Sequence, residues 1–487
     1  MLYNLNINYT KSGNGRDSAI KNRMQLLQKK GIASKVVTIK YNTHRYHERI
    51  HGVKACEYEN MYEYFQNARN VIRMPTKIQD IFPSDVYTSI QIPNSNDFKI
   101  YKENVYVAVL HCFECEESVS YVNYFDKSGR KIKRCFYDYR GFLSSERFLG
   151  DNQLTLLEVY YTPSGEKALE KYYTPKSQES SLTMIKVKYR LDGSWICLYT
   201  EDELINLYLE NLLDVNDTII VDRNIAYAKA VLSLKKKVKI ISVIHSTHFV
   251  TKDPSKGRIK VHYVDMLNNL NKIEAIITST EHQRREIIER FNNENKIRCI
   301  PVGYRNEVKQ ISPSNSAKII SVARLAPEKR VEHTILAFVE IIKHIPEARL
   351  HLYGAGPEEI NLRKLVKANN LDDAVVFHGY LADLSEEYST SKLILLSSVE
   401  EGFSLALMEA ASYGIPAVSY NVRYGPSDLI DDGETGFLTE EDPHLLAEKA
   451  ITLLSNPDMY RSFSDNTYAK SFDFNEEMVY ERWKKLL

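Results

Sequence analysis

The sequence predicts an α/β protein of two similar halves facing across a cleft, the first interrupted by an antiparallel β-meander. Three observations carry this. Residues 2–8 alternate as a strand and lead through a turn at 11–16 into a helix at 17–30 and a strand at 35–38, a βαβ opening. That rhythm returns at 201–304 and runs again, complete, from 318 to 440. Between them the pattern changes to short aromatic and charged runs divided by Gly-bearing turns. The expected units are 1–70 with 201–304 as one Rossmann-like domain, 71–200 as the inserted meander, 305–470 as a second Rossmann-like domain, and 471–487 as a helix packing back on the first.

At 487 residues the chain is too long for one core. Lys+Arg and Asp+Glu both count 64, which argues against a general nucleic-acid binder. Six cysteines are too few for a disulfide scaffold, and Cys112-x-x-Cys115 has no second pair to complete a zinc site. The first residues lack a signal-like apolar core and no 18-residue apolar span follows. The expectation is a cytoplasmic enzyme with reduced cysteines, at most peripherally associated with the inner face of the cell membrane.

Taken in order, the first loop carries Gly13 and Gly15 but no G-x-G-x-x-G, which disfavours a dinucleotide site. Gly15, against the helix start, is the better candidate for close approach to a ligand. After a helical-looking segment at 61–65, strands are expected at 106–111, 119–125, 131–139, 154–161 and 181–189. The stretches YVNYFDKSGRKIKRCFYDYRGF and LLEVYYTPSGEKALEKYY repeat one hairpin form. Such a sheet suits a polymer, a partner or another copy of the chain; a purely structural role is the other reading. The strand 218–222 ends in Asp222-Arg223, and the strand 238–244 runs straight into His245-Ser246-Thr247-His248. Ligands bind at the carboxyl ends of strands in open α/β sheets. The two histidines read as substrate contacts, as packed core histidines, or as a metal pair for which no third ligand is evident.

Residues 305–317 form a polar linker, and the second half carries the densest chemistry. The strand 393–396 enters a loop bearing Glu401, and a helix from about Ser404 carries Glu409 two turns along. Two carboxylates thus flank a row of free helix-start amides, a place for a ligand with both phosphates and hydroxyls. Arg324 and Lys329, five apart on the loop after the strand 318–322, supply two positive charges able to neutralise a diphosphate without a metal. No D-x-D pair follows an apolar strand. His378-Gly379-Tyr380 is placed to hold a base by backbone contacts and ring packing.

The motif from Glu401 to Glu409, with Ser321-Val322-Ala323-Arg324 and Lys329, resembles the retaining GT-B-fold glycosyltransferases whose signature is Glu, seven residues, Glu. The stretches 419–428 and 432–437 match as well. The first loop, the meander and His245–His248 resemble more narrowly the bacterial enzymes that glycosylate serine-rich or serine–aspartate-repeat surface proteins, and their relatives acting on wall teichoic acid. The resemblance implies that Arg324 and Lys329 bind the diphosphate, with Gly15 approaching it from the first half. Amides of Gly402, Phe403, Ser404 and Leu405 would meet phosphate and sugar oxygens. Glu401 would hold the donor sugar's hydroxyls and Glu409 the ribose; His378 and Tyr380 would flank the base. His248 would lie beside the reacting centre with His245 behind it, although the pattern leaves open which is nearer. It implies a UDP-sugar donor, UDP-N-acetylglucosamine or UDP-glucose, with no metal. The acceptor is expected to be serine or threonine hydroxyls of a surface adhesin, the alternative a teichoic acid. The meander would bind the acceptor, a sister subunit or a second copy. A different reading is a non-catalytic glycosyltransferase-like partner or chaperone subunit, which predicts loss of the Glu/Arg/Lys set; all are present.

Overall fold

A computed structural model describes every residue except 11–14, 115, 177, 189–192, 251–252, 306, 309–316 and 382. The expected Gly13 turn and Cys115 lie outside the described residues. Among the described residues the strands form three sheets.

The first is seven-stranded and parallel, in the order Ile297–Cys299, Ala275–Thr278, Lys239–Val243, Thr218–Val221, Leu2–Asn6, Ser34–Thr38, Tyr58–Asn60. The second is six-stranded and parallel: Val375–Gly379, Arg349–Tyr353, Lys318–Val322, Leu393–Leu396, Ala417–Tyr420, Gly436–Thr439. Helices cover both faces, so the central strands are buried throughout, as the apolar runs Ile219-Ile220-Val221 and Leu393–Leu396 require. In each sheet the strand order reverses beside the first strand in sequence. The crevices this opens at the carboxyl ends hold Asp222 and Arg223 in the first half, and the Arg324 loop and Ser398–Glu401 in the second.

The insertion is a ten-stranded antiparallel meander from Tyr87–Gln91 to Trp195–Leu198, each strand paired with its sequence neighbours. Four of its strands, Tyr87–Gln91, Asp97–Lys102, Leu143–Leu149 and Trp195–Leu198, were not anticipated. Tyr87–Gln91 is mostly solvent-exposed at the sheet edge, where alternation has no buried face to impose it. The meander shares its core with the first half: Tyr160, Leu169, Ile185 and Val187 pack with Tyr62, Tyr208 and Leu209. Buried Lys171 donates to the Tyr62 hydroxyl at 2.7 Å and pairs with Glu201.

The chain crosses between halves twice, and the crossings touch. Arg305 donates its backbone N–H to Phe474 O at 2.8 Å, and its guanidinium lies 3.9 Å over the Phe472 ring. The last helix, Glu476–Lys484, then docks on the helix Gly15–Lys29. Trp483 packs with Leu2, Leu26 and Leu27 beneath the Arg23 guanidinium, 5.3 Å from the ring centroid. The exposed pairs Lys29–Glu476 and Lys30–Glu477 add little beside this burial. Trp483→Ala is expected to cost about 3–5 kcal/mol through loss of a buried aromatic. A lowered urea midpoint for the first half, with unchanged far-UV circular dichroism before the transition, would show it.

Candidate active site

Glu401 follows the strand Leu393–Leu396 and is held from three sides. Its backbone N–H donates to Arg423 O at 2.8 Å, and its carbonyl accepts from the Tyr424 N–H. Its Oε1 accepts from Lys329 Nζ at 2.7 Å and from Ser398 Oγ at 2.7 Å. Lys329 ends a single helical turn, Pro327–Lys329, whose position is fixed by Val399 N–H donating to Glu328 O at 2.9 Å. The loops after two adjacent strands thus bring a carboxylate and an ammonium together at the switch point, partly buried.

The helix Leu405–Ser412 begins at Ser404, which has φ 81° and makes no side-chain cap, so its side chain leaves the first-turn amides unclaimed. Phe403 is buried edge-to-face against Phe474, at the end of the short 3-10 helix Ser471–Phe474 where the chain crosses back, which anchors this turn from behind. Glu409, about one turn into this helix rather than the expected two, accepts from the Tyr388 hydroxyl at 3.0 Å. Burial pushes its carboxyl up to about 7, against the lowering effect of the Tyr388 bond.

Other predicted residues are placed differently. The Arg324 side chain is exposed and paired with Glu328, one turn on, rather than turned toward Glu401. A Cβ at Gly356 would lie 2.1 Å from Leu325 O, so Gly354-Ala355-Gly356 serves as the backing of the Arg324 loop. A Cβ at Gly15 would meet nothing within 4 Å. The open space there leaves room for a ligand but does not itself require glycine. His378 stacks on Tyr353 with centroids 4.4 Å apart, and His351 Nδ1 lies 2.9 Å from His378 Nε2. Tyr380, two residues after His378, is 44% exposed.

The first half contributes its strand ends. Gly402 lies directly against His245: a Cβ there would sit 2.2 Å from the His245 carbonyl oxygen. The His245 ring bonds Asp222 Oδ1 through Nε2 at 2.9 Å, and buried Asp222 is gripped by Arg23 at 2.5 and 3.2 Å. Burial would raise the Asp222 carboxyl, but Arg23 and His245 outweigh it and hold it low. Burial keeps His245 below the usual imidazole range despite Asp222. His248 is fully buried beside Phe249 and Tyr424.

Several residues that the sequence did not single out join the halves. Glu400 accepts from Lys260 Nζ at 2.7 and 2.9 Å and from the Thr247 hydroxyl. Glu286 accepts from the Tyr424 hydroxyl at 2.6 Å and from Arg423 Nε at 2.9 Å. No local spacing marks them, because each pair is separated by well over a hundred residues. Among the described residues no group of three or more His, Cys, Asp or Glu is placed to hold a metal, and no helix is long and apolar enough to cross a membrane.

Two parallel sheets with their carboxyl ends facing, and an uncapped helix start and a Lys–Glu pair on the second, form the GT-B arrangement. Residues 305–470 match the family of glycosyl transferases group 1. The UDP-N-acetylglucosamine–peptide N-acetylglucosaminyltransferase GtfA subunit of Streptococcus parasanguinis is 28% identical, covering 100% of this chain and 98% of that protein. The poly(ribitol-phosphate) alpha-N-acetylglucosaminyltransferase of Staphylococcus aureus is 24% identical over 100% of this chain and 98% of its own. The crystal structure of the pneumococcal O-GlcNAc transferase GtfA in complex with UDP and GlcNAc superposes with a TM-score of 0.85 at 21% identity, covering 99% of this chain and 97% of that one. Residues 305–470 are thus a group 1 glycosyltransferase domain, in a chain of GT-B fold related to these two kinds of enzyme.

Removing the Tyr388 hydroxyl withdraws the bond that favours the ionised form of Glu409. In Tyr388→Phe the Glu409 carboxyl is therefore expected to titrate above its value of about 7 in the parent. A carbon-detected NMR titration of labelled glutamate would follow it; an unchanged or lower midpoint would contradict the assignment.

Proposed function

We propose that the chain transfers N-acetylglucosamine, with retention, from UDP-N-acetylglucosamine to serine or threonine hydroxyls of a bacterial surface adhesin. The observation that carries the proposal is the Lys329–Glu401 contact beside an uncapped helix start. Each of these charges satisfies the other. A nucleotide sugar replaces both partners at once: its diphosphate takes the ammonium and its sugar hydroxyls take the carboxylate. Amides of Gly402, Phe403, Ser404 and Leu405 meet the phosphate and sugar oxygens. Arg324, exposed at the rim, swings from Glu328 to the diphosphate, and Gly15 closes over it from the first half. Glu409 holds the ribose hydroxyls, and His378 and Tyr380 flank the uracil.

His248 contacts the transferred sugar and His245 stands behind the loop. Burial lowers the His248 imidazole to about 4, so the ring is neutral at physiological pH and takes part as a hydrogen-bonding group rather than as an acid. The departing diphosphate oxygen takes the acceptor's proton, and closure excludes water from the cationic sugar centre. In this reading residues 305–470 bind the nucleotide sugar, the first half holds the acceptor, and the meander offers surface to the acceptor, a sister subunit or a second copy. That the Streptococcus relative is named a subunit supports the second of these.

One observation favours a teichoic acid as the alternative acceptor. Arg223, at the carboxyl end of the strand Thr218–Val221, keeps a buried Nε with no hydrogen-bond partner among the described residues, which would suit a phosphodiester. A non-catalytic role has no use for an intact Lys329–Glu401–Glu409 set.

The test is transfer from UDP-N-acetylglucosamine and UDP-glucose to a Ser-rich peptide and to a polyol-phosphate polymer. Label is expected in the peptide from the N-acetylglucosamine donor. Label in the polymer alone would overturn the acceptor, and absence of UDP binding would overturn the whole reading. Glu401→Ala and Lys329→Ala are each expected to lower kcat about 10²–10³-fold, the scale for losing one preorganised electrostatic contact, with the fold intact.

A further inference from the structure

Tyr424 has a single hydroxyl proton, and the structure places two partners around it. Glu286 Oε2 lies 2.6 Å away, and His248 Nδ1 lies 3.3 Å away. Glu286 also accepts from Arg423 Nε at 2.9 Å and lies 3.2 Å from His282 Nε2, so its oxygens serve as acceptors to the groups around it. The Tyr424 proton therefore goes to Glu286, and burial keeps the phenol from ionising. The only group left to bridge Tyr424 and His248 is a proton on His248 Nδ1. A neutral imidazole with Nδ1–H has a bare lone pair on Nε2, and His248 Nε2 is buried with no hydrogen-bond partner among the described residues.

We propose that Tyr424 and Glu286 are positioning residues that lock His248 in the Nδ1–H tautomer, so that its bare Nε2 accepts a hydrogen bond from a hydroxyl of the transferred sugar. The sugar contact rests on the function proposed above; the tautomer does not. Glu286 and His248 belong to the first half, whereas Tyr424 follows the strand Ala417–Tyr420 of the second and bonds through its backbone to Glu401. The relay is complete only when the halves are together. Closure then does more than exclude water: it converts His248 from a ring of either tautomer into a directed acceptor. An enzyme that binds UDP while open acquires its sugar-reading group on closing.

The test uses the full-length protein labelled with ¹⁵N-histidine, with the His248 signals assigned by their loss in His248→Gln. Long-range nitrogen–proton correlations separate the two tautomers directly. With UDP bound, the wild type is expected to show His248 as Nδ1–H. In Tyr424→Phe the acceptor for that proton is gone, and the Nε2–H form should become substantial. In Glu286→Gln the side-chain amide can donate to Tyr424, which then turns its own proton to Nδ1, so Nε2–H should predominate. In both variants kcat/KM for the nucleotide sugar is expected to fall at least tenfold while the affinity for UDP alone, which lacks the sugar, is unchanged. An Nδ1–H signal that persists in both variants would overturn the relay, as would a matching loss of UDP affinity. The NMR arm needs no turnover, so it decides the relay even if the proposed sugar or acceptor proves wrong.

Discussion

The two halves meet backbone on backbone where Gly402 lies against the carbonyl of His245, and the polar contacts of the cleft are arranged around that approach. Side chains yield to one another by changing rotamer; a main-chain contact cannot, so it fixes the separation of the two sheets' carboxyl ends. With that distance set, side chains on either flank can be matched. Glu400 reaches Lys260 and Thr247 on one side, and Arg423 and Tyr424 reach Glu286 on the other. The ion pairs among them, Lys260–Glu400 and Arg423–Glu286, each keep one side chain more than a third exposed and contribute little net stability. Their value is in register: they favour one closed arrangement without welding the halves together, as a site that must admit and release a ligand needs.

The hinge is tied to the same place. Arg305 joins the two crossings through Phe474 O, Ser471 and the Phe472 ring. Phe474 packs on Phe403, and a Cβ at Gly303 would lie 2.5 Å from the Leu405 side chain. The residues at which the chain bends are thus in contact with the residues that present the helix-start amides. A rotation of the halves about these crossings would be felt first at 403–405, so the anion site proposed there would belong to the joint rather than ride on one half.

Much of this was legible in the sequence because burial writes itself into composition. Strands covered on both faces must be apolar runs, and 318–322, 349–353 and 393–396 were readable to the residue. The Glu401–Glu409 spacing read as a carboxylate before a helix start and another two turns along; the helix Leu405–Ser412 keeps Glu401 before its start but puts Glu409 only about one turn in. Side-chain direction was not legible. Arg324 and Lys329 looked equivalent at five residues apart, yet Lys329 turns inward to Glu401 while Arg324 turns outward to Glu328. Likewise Asp222 looked like a strand-end acid, and only the tertiary structure gives it Arg23 from one helix and His245 from the next strand. The seam residues Glu286, Lys260, Glu400 and Tyr424 have no local signature at all, because what pairs them is the closure of two domains. The meander's edge strands were missed for the opposite reason: with little surface to bury, Tyr87–Gln91 carries no pattern to read.

The Lys329–Glu401 pair also bears on which ligands the second half can accept. Both side chains are largely shielded, at 21% and 10% exposed, so separating them without replacement leaves a charge short of both water and partner. Inorganic phosphate could take the ammonium but would strand the carboxylate; a free sugar could take the carboxylate but would strand the ammonium. A molecule that carries a diphosphate bonded to a polyhydroxylated ring replaces both partners in one step, and it leaves Glu409 and the amides at 403–405 to be satisfied by its remaining oxygens. On the proposed function, selectivity for an intact nucleotide sugar thus comes as much from the cost of breaking a self-satisfied pair by halves as from the hydrogen bonds the ligand makes.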